Sequence, residues 1–444
     1  MRLIRFTIVA LILGCVSSIV NAQTRQSYGL KECLDVGLQN NYSILIVKNK
    51  EQQSSNNVTL GNAGYLPTLA LSAGYSTGVD NSTTTKDRAT GIESTVHGEF
   101  DHTVNLGLNL NWTIFDGFSI NTNYKRLKEL EMQGQTATRI ALEDFIAQLT
   151  SSYYNLIQQT IRLKNFRYAM NLSKERLRIV EARYMIGNFS RLDYQQAKVD
   201  FNADSAQYMK QQEKLQSARI NLNELMANMN VEQLIGVVDT SILVYNDLDF
   251  DALWNSTLQT NAELIYADQN KRLSELEYKQ VKSRNYPYLK LNGGYGYTLN
   301  RYGAGSVERR GNLGFNAGVT LGINIFDGNR SRERKNARLE IERTELQRQE
   351  LKLALRADFC DLWNAYTNNL ELLNLEKQNV VTALENMEIA MERYMLGDLS
   401  GIEMREAQKS LLDAEERLLA AEYDTKVCEI SLLQISGGVT RYLE

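Results

Sequence analysis

The side chains best suited to metal binding or nucleophilic chemistry are few. The chain has two histidines, His97 and His102, and four cysteines, Cys15, Cys33, Cys360 and Cys428, in 444 residues. The histidines lie in a polar, loop-like stretch with no carboxylate or cysteine at metal-ligand spacing, so a surface-loop role outweighs a metal site. Cys33, Cys360 and Cys428 are isolated from one another and make neither a disulfide framework nor a zinc pattern. No nucleophile elbow, phosphate-cradling loop or HExxH helix occurs. The chain therefore does not read as an enzyme, and no metal or cofactor is expected.

The first 22 residues read as a secretory signal. Arg2 and Arg5 form a basic start, Phe6–Val16 is apolar, and Val20, Asn21 and Ala22 offer a small-residue cleavage site. Cys15 is the alternative, lipoprotein-type processing point, with Leu13 poorly suited to its place before the Gly-Cys pair. No other stretch approaches the ~20 apolar residues of a membrane helix. Removing Arg2 and Arg5 from the 49 basic residues leaves 47 against 53 acidic ones, a net charge of −6. That balance argues against nucleic acid as a partner.

What positions any functional residue here is a duplication. The only two prolines, Pro67 and Pro287, open matching segments at an offset of 220, and Asn41 matches Asn261 at the same offset. Ile114-Phe115-Asp116-Gly117 returns as Ile325-Phe326-Asp327-Gly328, and Arg183-Tyr184-Met185-Ile186-Gly187 as Arg393-Tyr394-Met395-Leu396-Gly397, at offsets of 211 and 210. One structural unit is used twice. The first copy carries nine extra residues between Thr77 and Val104, in a polar stretch that reads as a loop tip.

Each copy carries a pair of alternating segments, expected as strands 68–77/104–114 and 288–299/315–325. Val104, Leu106, Leu108, Leu110, Trp112 and Ile114 share one face, and Asn105, Gly107, Asn109, Asn111 and Thr113 the other. Phe315, Ala317, Val319, Leu321, Ile323 and Ile325 repeat the pattern opposite Asn316, Gly318, Thr320, Gly322 and Asn324. Period-2 alternation over this length marks strands able to span a bilayer when tilted. The polar faces hold Asn, Gly and Thr rather than charges, which suits a lumen, and Tyr75, Trp112, Tyr295 and Tyr297 suit an interface girdle. Leu106, Leu108, Leu110, Trp112, Val319, Leu321 and Ile323 are the expected lipid-facing residues. Four strands cannot close a barrel, so the chain must oligomerise, and three copies would give twelve strands.

The remainder is expected to be helical. Leu142, Leu149, Leu156, Leu163, Met170, Leu177 and Tyr184 recur every seven residues. Phe359, Tyr366, Leu373, Val380, Met387 and Tyr394 take the same stations in the second copy, with Lys352 as the one break. Sustained heptads indicate coiled-coil packing. About 67 residues at ~1.5 Å each make a helix of roughly 100 Å. Shorter helices, expected at Leu38–Gly64, Leu192–Met229, Leu258–Asn285 and Ile402–Ser436, sum in pairs to the same length and so would stack end to end beside it. The chain divides into a signal (1–22), a first repeat (23–230), an intervening segment (231–251), a second repeat (252–436) and a tail (437–444).

These features together resemble the TolC family of outer-membrane efflux factors, over essentially all of residues 23–440. The resemblance rests on the duplication, the proline-led strand after a short helix, the Ile-Phe-Asp-Gly before a long helix, and the two Arg-Tyr-x-x-Gly turns. It implies a mainly α protein with a membrane β part: a trimer whose 12-stranded β-barrel in the cell outer membrane continues as a long periplasmic coiled-coil α-barrel. It implies a passive exit duct for drugs or other exported substrates in tripartite efflux or type I secretion. The implied partners are a homotrimer, outer-membrane lipid, a periplasmic adaptor (membrane fusion) protein, and an inner-membrane transporter of RND, ABC or MFS type. A periplasmic adaptor is the competing reading, but it would need lipoyl-like and small β-barrel domains and would not need lipid-length strands.

The resemblance also assigns the hairpin ends. Ile186, Gly187, Phe189 and Ser190, with Leu396, Gly397, Leu399 and Ser400, become adaptor contacts. Glu403 and Glu406 fall where the family has two aspartates that ring the entrance, and their i, i+3 spacing puts both on one helix face. Asp193 and Tyr394 match an acid and a tyrosine that help hold the tip shut. The family's arginine partner is replaced by Leu399, with Arg191 and Arg405 as substitutes.

Overall fold

The computed structural model describes residues 27–303 and 307–443. The expected signal sequence, including Cys15, lies outside the described residues. In chain order the elements are β1 (Ser27–Tyr28), α1 (Leu30–Asn40), α2 (Tyr42–Asn56), α3 (Leu60–Ala63), β2 (Thr68–Asp80), β3 (Thr83–Lys86), β4 (Glu93–Val96), β5 (Glu99–Asp116), α4 (Ser119–Met185) and α5 (Arg191–Leu225). There follow β6 (Gly236–Val237), α6 (Phe250–Thr260), α7 (Ala262–Ser283), β7 (Tyr288–Arg301), β8 (Arg309–Gly322), α8 (Asn329–Leu396), α9 (Gly401–Ile435) and a 3-10 turn at Val439–Leu443. The residues group into two compact units. One contains Lys50–Thr136 and Tyr266–Glu350; the other contains Ala137–Ile265 with the described parts of Met1–Asn49 and Leu351–Glu444. The long helices α4 and α8, of 67 and 68 residues, contribute to both.

The first unit is built on a four-stranded antiparallel sheet of order β2-β5-β7-β8. Register lines up the alternation across all four strands. Leu71, Leu108, Tyr295 and Phe315 form one transverse row, and Ala73, Leu106, Tyr297 and Leu313 another on the same face. The intervening rows are small and polar: Ser72, Gly107, Gly296 and Gly314, then Ala70, Asn109, Gly294 and Asn316. Slipping any strand by one residue would mix the two faces, so the alternation itself fixes the register. Gly296 permits the close β5–β7 approach, since a Cβ there would lie 2.8 Å from the Leu106 carbonyl oxygen.

The strands differ from the sequence expectation at both ends. β2 and β5 run on to Asp80 and back to Glu99, and the loop beyond them folds into its own β3–β4 hairpin. β8 covers 309–322 rather than 315–325, so Ile323 and Ile325 lie outside the strand. The cause is the partner strand: β7 begins at Tyr288, paired with Gly322, directly after Pro287, which has no N–H to extend the ladder. The same unit carries polar helix contacts, including Gln269 Nε2 to Thr136 Oγ1 (2.9 Å) and the Arg272–Glu129 ion pair (2.7 Å).

The second unit is helical, with a short parallel β1–β6 pair. Its main core gathers Cys33, Leu34, Leu149, Tyr153, Leu156, Leu215 and Leu222, so the heptad leucines of α4 face inward. A second core holds Phe359, Tyr366 and Leu432 with Phe250, Trp254 and Trp363. The 3-10 turn is fastened by a buried charge: Lys426 donates to Glu429 (2.7 Å), which also accepts from the Tyr442 hydroxyl (2.6 Å) and the Tyr245 N–H (2.9 Å). The rings of Tyr154, Tyr245 and Tyr442 surround the ammonium at 4.8–5.1 Å.

Of the shorter helices expected, α5 and α9 run unbroken, but those expected at Leu38–Gly64 and Leu258–Asn285 are interrupted. Asn41 separates α1 from α2, and Asn261 separates α6 from α7. Each asparagine leaves the helical backbone conformation, and its side-chain oxygen accepts an N–H of the following helix, Ser43 in one case and Leu264 in the other.

Candidate functional site

Two regions carry the residues singled out from sequence: the hairpin ends of the helical unit, and the apolar face of the sheet unit.

Both hairpin ends are built from the same two local devices. Gly187 and Gly397 adopt φ of +83° and +93°, which favours glycine. Around them the N–H of Asn188 reaches the Arg183 carbonyl (2.9 Å) and the N–H of Asp398 reaches the Arg393 carbonyl (2.9 Å), the Schellman pattern that terminates a helix. The next helix then starts on a capping box. Ser190 Oγ accepts the Asp193 N–H, and the Asp193 carboxylate accepts from the Ser190 N–H (3.1 Å) and hydroxyl (2.7 Å). Ser400 and Glu403 repeat this at 3.0 and 2.7 Å. The hydroxyl of Ser400, then its backbone N–H, holds the Glu403 carboxyl below its ordinary value. Glu406 is exposed one turn further along α9.

Ile186, Gly187 and Ser190 are exposed, as are Leu396, Gly397 and Ser400. Phe189 and Leu399 are half-buried against a small core of Val180, Met387, Ala390, Tyr394, Met404 and Leu411. Arg183 binds the two ends together. It donates to the Met395 carbonyl (3.2 Å) and its guanidinium lies 5.5 Å from the Phe189 ring and 5.9 Å from the Tyr394 ring.

Asp193 and Tyr394 share no hydrogen bond among the described residues, although the Asp193 charge acts on the phenol. The Asp193 carboxylate is held by Ser190, and the buried Tyr394 hydroxyl has no hydrogen-bond partner among the described residues. Burial raises the Tyr394 pKa, opposed by the charges of Arg176 and Arg183. A further polar network joins the two hairpins. Arg405 makes a bidentate pair with Asp204 (2.6 and 2.7 Å), which also accepts from Ser173, and Gln408 donates to the Ala169 carbonyl and Ser173 Oγ at 3.0 Å. Arg176 pairs with Asp200 and donates to the Gly401 carbonyl (3.3 Å). Arg405 was a named substitute for the missing arginine; Ser173, Arg176, Asp200, Asp204 and Gln408 were not singled out. A signal existed for Asp204: Ala197, Asp204, Gln211 and Ala218 are buried at heptad spacing, and a carboxylate at such a station needs a partner.

In the sheet unit, Leu106, Leu108, Trp112, Val319 and Leu321 are exposed in the single chain, with Leu110 half-buried. Leu69, Leu71 and Phe315 extend this apolar face, each about 70 % exposed. Trp112 Nε1 donates to the Tyr65 carbonyl (2.8 Å) at the helix-proximal end, and Tyr75 Oη lies 2.9 Å from His102 Nδ1 toward the other. His97 Nδ1 lies 3.3 Å from the Asn81 carbonyl oxygen. Cys33 is fully buried, which pushes its thiol up to about 12. None of the described helices is long and apolar enough to cross a membrane.

Residues 34–228 and 253–438 match the description of the outer membrane efflux protein family, once in each repeat. The chain belongs to that family. It is 22 % identical over 436 residues to outer membrane protein TolC of Vibrio cholerae, covering 96 % of this chain and 94 % of that one. Its fold matches a membrane protein from Pseudomonas aeruginosa with a TM-score of 0.76 at 17 % identity, over 95 % of this chain and 91 % of the other. It also matches the Campylobacter jejuni CmeC outer membrane channel with a TM-score of 0.75 at 18 % identity, over 92 % and 85 %. The protein is thus a mainly helical outer-membrane protein with a strand-built membrane part.

Proposed function

We propose that the protein is a passive exit duct, assembled as a trimer, for a tripartite efflux pump or type I secretion system. The observation that carries this reading is the sheet: four strands of membrane length, one face apolar and the other mainly Ser, Gly, Asn and Thr, with Lys290 near its helix-proximal end and β2 and β8 as open edges. An open edge in lipid leaves backbone groups unsatisfied at several kcal/mol each. Four strands are too few to close, whereas three copies supply twelve. In that barrel Leu106, Leu108, Leu110, Trp112, Val319 and Leu321 face lipid and Asn109 and Asn316 face the lumen.

The hairpin ends serve as the periplasmic entrance. Ile186, Phe189, Leu396 and Leu399 with their turn neighbours receive the helical hairpins of a periplasmic adaptor, which connects the duct to an inner-membrane transporter of RND, ABC or MFS type. Glu403 and Glu406, repeated three times, form a carboxylate constriction that favours cations. The closing contact in this chain is Arg405–Asp204, supported by Arg176–Asp200. Asp193 acts as the cap of its helix, and Tyr394 as the apolar wall behind the tip.

Purified protein in planar bilayers should conduct ions with no nucleotide or electron donor, and deletion of the gene should make cells retain the cargo of the adaptor–pump pair that uses it. A protein that forms no conductive pore would overturn the proposal.

A further inference from the structure

The second repeat differs from the first where the membrane sheet gives way to the long helix. At the start of α8, Arg330, Arg332, Arg334, Lys335 and Arg338 fall within nine residues, with Glu333 the single acid among them. The first repeat has Ser119, Asn121, Asn123, Tyr124 and Leu127 at those stations and carries its basic residues at Lys125, Arg126 and Lys128. Helix stability does not account for the arrangement. Cations on the first turn oppose the helix macrodipole, and no acid occupies the first turn of α8 to offset them. Where a sequence violates a local rule, function is the first explanation to test.

The charges are also available. Arg332, Arg334 and Lys335 are exposed and make no hydrogen bond or ion pair with any described residue. Arg338 donates to the Tyr278 hydroxyl, and the charges of Lys282 and Arg334 also act on that phenol, so the cluster continues onto α7. It directly follows the lipid face. Between β8 and Arg330 stand Ile325 and Phe326, 93 % and 89 % exposed. An apolar band ending in open apolar residues and then a run of arginines is the order met on leaving hydrocarbon for a headgroup layer. Guanidinium groups pair bidentately with phosphate oxygens.

We propose that Arg332 and Lys335, one turn apart on one face of α8, bind the phosphate of an anionic phospholipid in the periplasmic leaflet of the outer membrane. The proposal rests on the membrane placement of the sheet argued above. It makes the basic cluster a depth marker, present once per chain, that fixes where the sheet ends relative to the headgroups.

The test is native mass spectrometry of the intact protein extracted from outer membranes, titrated with phosphatidylglycerol or phosphatidylcholine. The wild type should retain phosphatidylglycerol at least about fivefold more tightly, the effect of roughly one basic charge at an anionic lipid surface. The variant R332Q/K335Q should lose that preference, and K125Q/R126Q/K128Q should keep it. Equal retention of the two lipids by the wild type overturns the proposal without needing any variant. An unchanged preference in the first variant also overturns it. So does separation of the subunits in that variant, which would assign the charges to contacts between copies. Wild-type protein that reaches the outer membrane but shows no preference refutes the lipid site alone, whereas protein absent from that membrane refutes the duct reading.

Discussion

Asn41 Nδ2 lies 3.0 Å from the carbonyl oxygen of Leu225, and that contact recurs between Asn261 and Ile435 at 2.9 Å. Each carbonyl belongs to the last residue of a hairpin's returning helix, where no intrahelical N–H remains to satisfy it. Each asparagine also caps the start of the next helix through its oxygen. One amide thus serves a helix end and a helix start, and the duplication has kept it at both places.

Replacing Asn41 or Asn261 by alanine removes a cap and exposes an orphan carbonyl. Each substitution should cost about 1–3 kcal/mol. The aspartate variants keep the cap acceptor but lose the donor and should fall between. Thermal unfolding of the purified protein checks the order wild type, aspartate, alanine.

The Arg405–Asp204 pair should hold the hairpins together at the proposed entrance. Asp204→Ala leaves a partly buried guanidinium without its partner, at a cost of about 3 kcal/mol or more. Single-channel conductance should rise in Asp204→Ala and in Arg405→Gln. If conductance in both matches the wild type, this network is not what closes the tip.

Glu403 and Glu406 should set ion preference together. The double alanine variant should lose cation selectivity, measured by reversal potentials in a salt gradient. The hydroxyl of Ser400 and then its N–H lower the Glu403 pKa, so this charge and its cap are fully present above the ordinary glutamate range and are lost only as pH falls through the lowered value. The part of the selectivity carried by Glu403 should therefore persist through the ordinary glutamate range and be lost only below it.

The sheet predicts opposite outcomes for neighbouring residues. Leu108→Arg or Val319→Arg places a charge on the lipid face and should cost about 2–4 kcal/mol near the bilayer midplane, lowering assembled protein in outer-membrane fractions. Asn109→Lys, one residue away on the polar face, should assemble normally and shift selectivity toward anions.

The strand alternation and the duplication were legible because both are periodic, and period survives without knowledge of partners. Leu71, Leu108, Tyr295 and Phe315 could each be placed on the apolar face from their own strand, although only the structure shows them in one row. The end of β8 was not legible, because it depends on Pro287 in the neighbouring strand. Nor was the break at Asn41, which depends on a carbonyl 184 residues away. At the hairpin ends the glycines and the acids were visible, but the role of the acids was only half visible. Ser190-x-x-Asp193 and Ser400-x-x-Glu403 are capping boxes on their face, and the capping role accounts for both acids before any pore is invoked. Ser173, Asp204 and Arg405 meet from three helices, a convergence that no single stretch of sequence displays.

The most direct measurement is the state of the protein in fractionated cells, run on denaturing gels with and without heating. The duct reading predicts an outer-membrane species that migrates as a trimer unheated and as a monomer once boiled, because the strand edges β2 and β8 are satisfied only between copies. A soluble periplasmic monomer, indifferent to heating, would contradict it.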